Sequence, residues 1–270
     1  MQVPEIVNEV LDTYFSLIDS KCPNLLESYY IYGSVSMGAF DSGSSDIDFF
    51  AVVKRGPTER DVDVLKLIHS EVQAKFPRLF LDGMYVAAGD LRGIEDAVGP
   101  YFNEGKLQGY KPFSKDHIDA FQIKKYGIVI KGDPGKYGLT VDWDLLLENM
   151  LTNLNTYWVG WKKRCERVGS PDFFGMLFRL DSIEWGVLGV TRLYYTFREK
   201  DITSKSGAGE YALQTLPPKW HRIINESMRL RKNIKKSYYH SVFKRRRDVL
   251  EYMEFIIQEC NDFYKNERHM

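Results

Sequence analysis

Between Tyr29 and Val53 the chain reads YYIYGSVSMGAFDSGSSDIDFFAVV: two apolar β-type runs flanking a stretch of small residues. The first run, Tyr29 to Tyr32, stops at Gly33-Ser34, and Asp46-Ile47-Asp48 opens the second, Phe49 to Val53. Residues two apart on a strand share a face. Asp46 and Asp48 therefore project together while Ile47 turns to the core. Two carboxylates on one face repel each other unless a cation lies between them, and hard oxygen ligands of this kind suit Mg²⁺, held by one or two carboxylates plus substrate phosphates. Gly33-Ser34 lets backbone N–H groups and a hydroxyl approach a phosphate closely. The stretch reads as a metal-nucleotide site. The plainer alternative is a solvated aspartate pair beside a glycine-rich turn.

A third apolar run, Leu79 to Ala87, contains Asp82. A carboxylate inside a buried strand is costly without a partner or a metal. An antiparallel neighbour would bring Asp82 beside Asp46 and Asp48; the alternative is an aspartate at a strand kink before Gly83.

The rest of the chain divides around this centre. Apolar residues at helical spacing predict helices over about 4–19, 58–75 and 116–130. His69 lies on the apolar face of the second and reads as a structural histidine; Pro77 closes that helix. Residues 90–109, rich in glycine and charge, are expected to be an irregular lid or substrate loop. The run Lys131-Gly132-Asp133-Pro134-Gly135-Lys136-Tyr137-Gly138 lacks the Ser/Thr and glycine spacing of a phosphate loop and reads as a linker. Beyond about Val141 every segment has helical periodicity: 143–167, 173–199, 205–213, 219–235 and 242–265. The expected fold is α+β, a mixed sheet with flanking helices over 1–138 followed by an all-α bundle over 139–270.

Charge narrows the partners. Lys+Arg and Asp+Glu are equal at 37 each, so no overall field favours nucleic acid or an anionic membrane. Basic clusters at Arg229–Lys236 and Lys244–Arg247, interleaved with Tyr238, Tyr239 and Phe243, raise the nucleic-acid question. They read first as solvated helix faces, with lining a nucleotide's phosphates as a third reading, and a nucleic-acid partner is not expected. Cys22, Cys165 and Cys260 show neither a disulfide framework nor a zinc spacing. Glu5 and Glu9 break any signal pattern near the start, and no apolar run approaches membrane-spanning length. A cytoplasmic protein, monomeric or weakly dimeric, is expected.

Gly33-Ser34, a gap, then Asp46-Ile47-Asp48 resembles the signature of the DNA polymerase beta-type nucleotidyltransferase superfamily. The second half narrows this. Leu188-Gly189-Val190-Thr191-Arg192-Leu193-Tyr194-Tyr195, Asp201-Ile202-Thr203-Ser204-Lys205, Gly209-Glu210-Tyr211-Ala212 and Leu216-Pro217 resemble aminoglycoside adenylyltransferases of the streptomycin/spectinomycin group. The resemblance implies that Gly33, Ser34 and Ser45 hold a triphosphate. It further implies that Asp46 and Asp48, with Asp82, bind two Mg²⁺, and that Arg192 and Lys205 reach the nucleotide. The family's third carboxylate is glutamate, where this chain has Asp82 in Leu81-Asp82-Gly83-Met84-Tyr85-Val86. The family's tryptophan in a Gly-Glu-Trp-Leu loop is replaced by Asn103-Glu104-Gly105-Lys106-Leu107.

The reaction implied is Mg²⁺-dependent transfer of AMP from ATP to an aminoglycoside hydroxyl in an interdomain cleft. Asp82 takes the hydroxyl proton, pyrophosphate leaves, and antibiotic resistance follows. A polycationic acceptor needs carboxylates, for which Asp172, Asp181 and Glu184 are the candidates; the alternative for each is an ordinary helix acid. Two rival functions stand beside this one: nucleotidyl transfer to a protein or RNA acceptor, and a non-catalytic nucleotide-binding or antitoxin-like module.

Overall fold

The computed structural model describes residues 3–92, 96–114, 117–133 and 137–268. The middle of the linker read at 131–138 lies outside them. The chain forms two compact units, Met1–Leu146 and Leu147–Met270.

Unit 1 is built on a six-stranded mixed sheet. In chain order its elements are α1 (Glu5–Lys21), β1 (Leu26–Ile31), α2 (Gly33–Ser36), β2 (Ile47–Val53), α3 (Glu59–Lys75), β3 (Leu81–Ala87), β4 (Ala97–Asn103), β5 (Lys106–Phe113), α4 (Ile118–Tyr126) and β6 (Ile128–Lys131). The spatial order is β5-β4-β3-β2-β1-β6. Period-two alternation sorts the side chains. Tyr29, Ile31, Ile47, Phe49, Leu81 and Tyr85 pack with α1 and α3 on one face. Tyr30, Phe50, Val52, Met84 and Val86 pack with Ala120 and Ile123 of α4 on the other. A capping box at Thr58 and Asp61 starts α3.

Three features of unit 1 differ from the sequence expectation. β3 pairs with β2 in parallel, with Asp48 opposite Asp82, not antiparallel. The α3 crossover between them returns the chain to the same end of the sheet, which only a parallel pair allows. The region expected to be an irregular lid contains the β4–β5 hairpin, closed by a two-residue turn in which Glu104 and Gly105 both have positive φ. The third long helix ends at Tyr126; beyond Gly127 the β-branched run Ile128-Val129-Ile130 pairs with β1.

His69 is the structural histidine its spacing suggested. It is buried against Phe102, their ring centroids 3.9 Å apart, and its Nε2 hydrogen-bonds the Tyr85 hydroxyl at 2.9 Å. Burial lowers its pKa to about 3, so it stays neutral.

Unit 2 is helical. It takes up α5 (Trp143–Asn153) from Leu147 onward and continues with α6 (Val159–Glu166), α7 (Pro171–Phe178), α8 (Leu180–Glu199), α9 (Lys205–Thr215), α10 (His221–Arg231) and α11 (Val242–Arg268). A π-helical turn, Leu154–Trp158, joins α5 to α6. The helix expected over 173–199 is two helices, because Arg179 adopts extended backbone between α7 and α8. Helix α8 is the hub against which α9, α10 and α11 pack. A Cβ at Gly189 of α8 would overlap the Trp158 ring, so the glycine is what lets the indole seat there.

The basic clusters are partly absorbed by this packing. Glu226, fully buried, binds Arg229 at 2.6 Å and Arg245 at 3.5 Å, and also accepts from Ser237 and the Tyr238 N–H. Arg246 donates to the Cys165 carbonyl. Among the described residues no helix is long and apolar enough to cross a membrane, and the three cysteines are buried and free.

Candidate active site

The acids of unit 1 gather where β2 and β3 begin. Asp48 and Asp82 are register partners on adjacent parallel strands and share a sheet face with Tyr30, Phe50 and Met84, the α4 side. Asp46 precedes β2 on the same alternation and is more exposed. Asp82 is the perturbed member. Burial, and then the negative charge of Asp46, raise its pKa to about 7, while the N–H groups of Glu104 and Gly105 in the hairpin turn pull the other way. Its Oδ1 is buried with no hydrogen-bond partner. A buried carboxylate with an orphaned oxygen and an acidic neighbour is an environment that a cation or a proton relieves.

The Gly-Ser element is a four-residue helix rather than an open loop. Gly33 has φ +63°, and a Cβ there would collide with the Asp48 carboxylate. Only glycine fits both the backbone and the space. The Met37 N–H caps this turn on the Gly33 carbonyl. Ser34 lies on the turn and is half-buried. Ser45 is occupied with structure: its hydroxyl accepts from the Asp41 N–H at 3.1 Å and its own N–H donates to the Asp41 carbonyl.

A fourth acid, Asp119, was not read from the sequence. It lies in the first turn of α4, on the same side of the sheet. Its charge, with those of Asp48 and Asp82, acts on the phenols of Tyr32 and Tyr101, whose pKa values are raised first by burial. His117 caps α4 and pairs with Asp119 at 3.2 Å, which raises the imidazole pKa. An acid in the first turn of a helix beginning beside the sheet was the available signal. Lys111 stands 3.6 Å from the Tyr101 ring centroid, a cation already seated on an aromatic face amid these acids.

The donor set fits magnesium. Among the described residues no group of three His, Cys, Asp or Glu side chains forms a ready cage. That suits an ion that takes one or two carboxylates and completes its shell with water and substrate phosphate.

In unit 2, Lys205 opens α9 beneath the Ser204 cap. It pairs with Glu184 at 3.2 Å, and burial lowers its pKa. Arg192 is half-buried on α8. The three acids read as acceptor ligands do not cluster. Asp172 pairs with Arg164 at 2.8 Å and Asp181 with Arg179 at 2.7 Å, both near the surface, whereas Glu184 is largely enclosed between Lys205 and Arg231.

A mixed sheet with three aspartates where two parallel strands begin, followed by a helical unit, is an arrangement suited to metal-assisted phosphate chemistry. Comparison with known proteins adds a likeness for each part. Residues 181–259 match the family model described as aminoglycoside adenylyltransferase, C-terminal domain. The whole chain is similar to the crystal structure of spectinomycin adenyltransferase AAD(9) from Enterococcus faecialis with ATP and spectinomycin. The TM-score is 0.68 at 14% identity, covering 94% of this chain and 99% of that one. No curated protein sequence matches. The resemblance to aminoglycoside nucleotidyltransferases and the α+β fold read from the sequence are both borne out.

Proposed function

We propose that the chain transfers AMP from ATP to a hydroxyl of an aminoglycoside of the streptomycin/spectinomycin type, releasing pyrophosphate and conferring resistance. The observation that carries the reading is the juxtaposition of Asp48 and Asp82 across β2–β3, with Asp46 acting on Asp82. The family match of unit 2 and the likeness to AAD(9) supply the substrate class.

Asp46 and Asp48, with Asp82 beside them, would hold two Mg²⁺, which when bound neutralise developing charge on the phosphates. Gly33 keeps the floor under Asp48 free of side chain, so the carboxylate and the α2 backbone approach the triphosphate together. Lys205 and Arg192 bind and neutralise phosphate oxygens. Asp82 takes the proton of the acceptor hydroxyl, its buried Oδ1, which has no hydrogen-bond partner, being the oxygen that receives it. The excess of acid among Asp46, Asp48, Asp82 and Asp119 suits a polycationic acceptor.

The test is pyrophosphate release from ATP and Mg²⁺ across streptomycin, spectinomycin and other aminoglycosides, with Asp46→Asn as control. Release with a drug, abolished by the substitution, supports the reading. ATP binding without release on any drug sinks the aminoglycoside assignment.

A further inference from the structure

Glu184 stands between two cations. Its Oε1 accepts from Lys205 Nζ at 3.2 Å and from Arg231 Nη1 at 3.0 Å. The glutamate comes from α8, the lysine from the first residue of α9 and the arginine from the last of α10. The three side chains are only 16%, 22% and 11% exposed. Two cations thus share a single carboxylate oxygen, leaving an excess of positive charge out of bulk water, which is costly until a further anion joins it. The positive charges of Arg231 and Arg192 both act on Lys205.

The donors are under-used. An ammonium has three N–H donors and a guanidinium five in a fixed fork, and Glu184 takes one from each. Lys205 also stands 5.3 Å from the ring centroid of Trp185. That indole is 43% exposed and stacks on Trp158, so the cation pair opens beside a rigid aromatic surface.

We propose that Arg231 joins Lys205 in a two-cation clamp for the polyphosphate of a nucleotide, with Glu184 as the internal counter-ion that the polyphosphate displaces. The proposal rests on the nucleotide reading above and adds Arg231 and Glu184 to it. An arginine fork and a lysine converging on one anion are the partners phosphate oxygens take. The carboxylate already there fills the place of one such oxygen. Glu184 is then a competitor for the clamp and not a ligand of the acceptor.

The experiment is equilibrium binding of Mg-ATP and of inorganic tripolyphosphate to the full chain, read by tryptophan fluorescence and by calorimetry. The variants are Arg231→Gln, Arg231→Lys and Glu184→Gln, each checked for folding by circular dichroism. Arg231→Gln is expected to weaken both ligands about tenfold or more, and Arg231→Lys to recover part of the loss. Glu184→Gln is expected to bind tripolyphosphate more tightly than the parent chain, a gain that structural damage does not produce. A folded Arg231→Gln binding both ligands as the parent does overturns the clamp. A folded Glu184→Gln binding more weakly than the parent overturns the counter-ion role, and this variant decides the matter if Arg231→Gln does not fold. If the parent chain itself binds neither ligand, the nucleotide reading falls and the clamp falls with it.

Discussion

The two units hold their charges in opposite ways. In unit 1 the acids sit on short side chains at the head of the sheet, and the Asp48–Asp82 relation is set by strand hydrogen bonds. In unit 2 the cations hang on long, flexible side chains at helix ends, held in place by an ion pair to Glu184. Backbone-fixed groups keep their geometry with or without a ligand; side-chain-fixed groups can trade one anion for another. On the proposed reading, the sheet would place the reacting atoms and the helices would capture charge.

That contrast can be broken most directly at Asp82. Asp82→Asn is expected to lower turnover about 10²–10⁴-fold with the KM for ATP little changed, measured by steady-state pyrophosphate release. A change confined to KM would put Asp82 on the binding side. In unit 2 the largest expected effect is on stability. Glu226→Gln leaves Arg229 and Arg245 buried without their anion and should cost about 3–5 kcal/mol, read from urea unfolding. Gly33→Ala forces a side chain into positive φ and into Asp48. It should cost about 1–3 kcal/mol, with a disproportionate loss of turnover. Lys205→Gln should raise the KM for ATP about tenfold and leave kcat within a few-fold, the inverse of Asp82→Asn.

The gentlest probe is pH. His69 has its pKa lowered to about 3 when folded, against about 6.5 when unfolded. The unfolded chain therefore takes up the proton first. Stability falls as pH drops below about 6.5, by at most about 1.4 kcal/mol per pH unit, until about 3. Glu226 is lowered from 4.5 to about 2 by its burial-resisting hydrogen bonds to Arg229, Tyr238 and Ser237. Its contribution is whole above 4.5 and is lost as pH falls toward 2. Asp82, raised to about 7 when folded against about 3.9 unfolded, takes up its proton first in the folded chain, so between 6.5 and 4.5 it offsets what His69 loses in unit 1. Hydrogen exchange should show Tyr85 in β3 losing protection over that window in Asp82→Asn, where the offset is gone, and holding it in the parent chain; loss in the parent chain would break this balance.

The sequence made the backbone-fixed half far more legible than the other. Asp46, Asp48 and Asp82 could be read because a carboxylate in an apolar alternating run stands out against its neighbours. Direction was not readable: the same pattern serves a parallel or an antiparallel partner, and the crossover through α3 decides it. The β4–β5 hairpin was hidden because its strands alternate weakly around Gly99, Pro100 and Gly109. β6 was hidden because a three-residue β-branched run, Ile128-Val129-Ile130, continues a helical period. Asp119 was missed, and Arg231 was read only as one member of a basic cluster, for another reason. Each is an ordinary charged residue at a helix end, and only tertiary placement sets one beside Tyr101's acids and the other on Glu184. Glu184 itself was noticed for its sign, but its partners lie 21 and 47 residues further along the chain.

The register between β2 and β3 limits how this chain can change its length. Each strand carries one aspartate facing α4, and neighbouring residues face the opposite layer. Inserting or deleting one residue within either strand would turn its carboxylate into the apolar layer under α1 and α3 and bring an apolar side chain out in its place. The same change in the Lys54–Thr58 turn, before the helix that links the strands, leaves the facing of both aspartates untouched. Descendants of this sequence can therefore lengthen or shorten at that turn, but their two strands must keep step residue for residue.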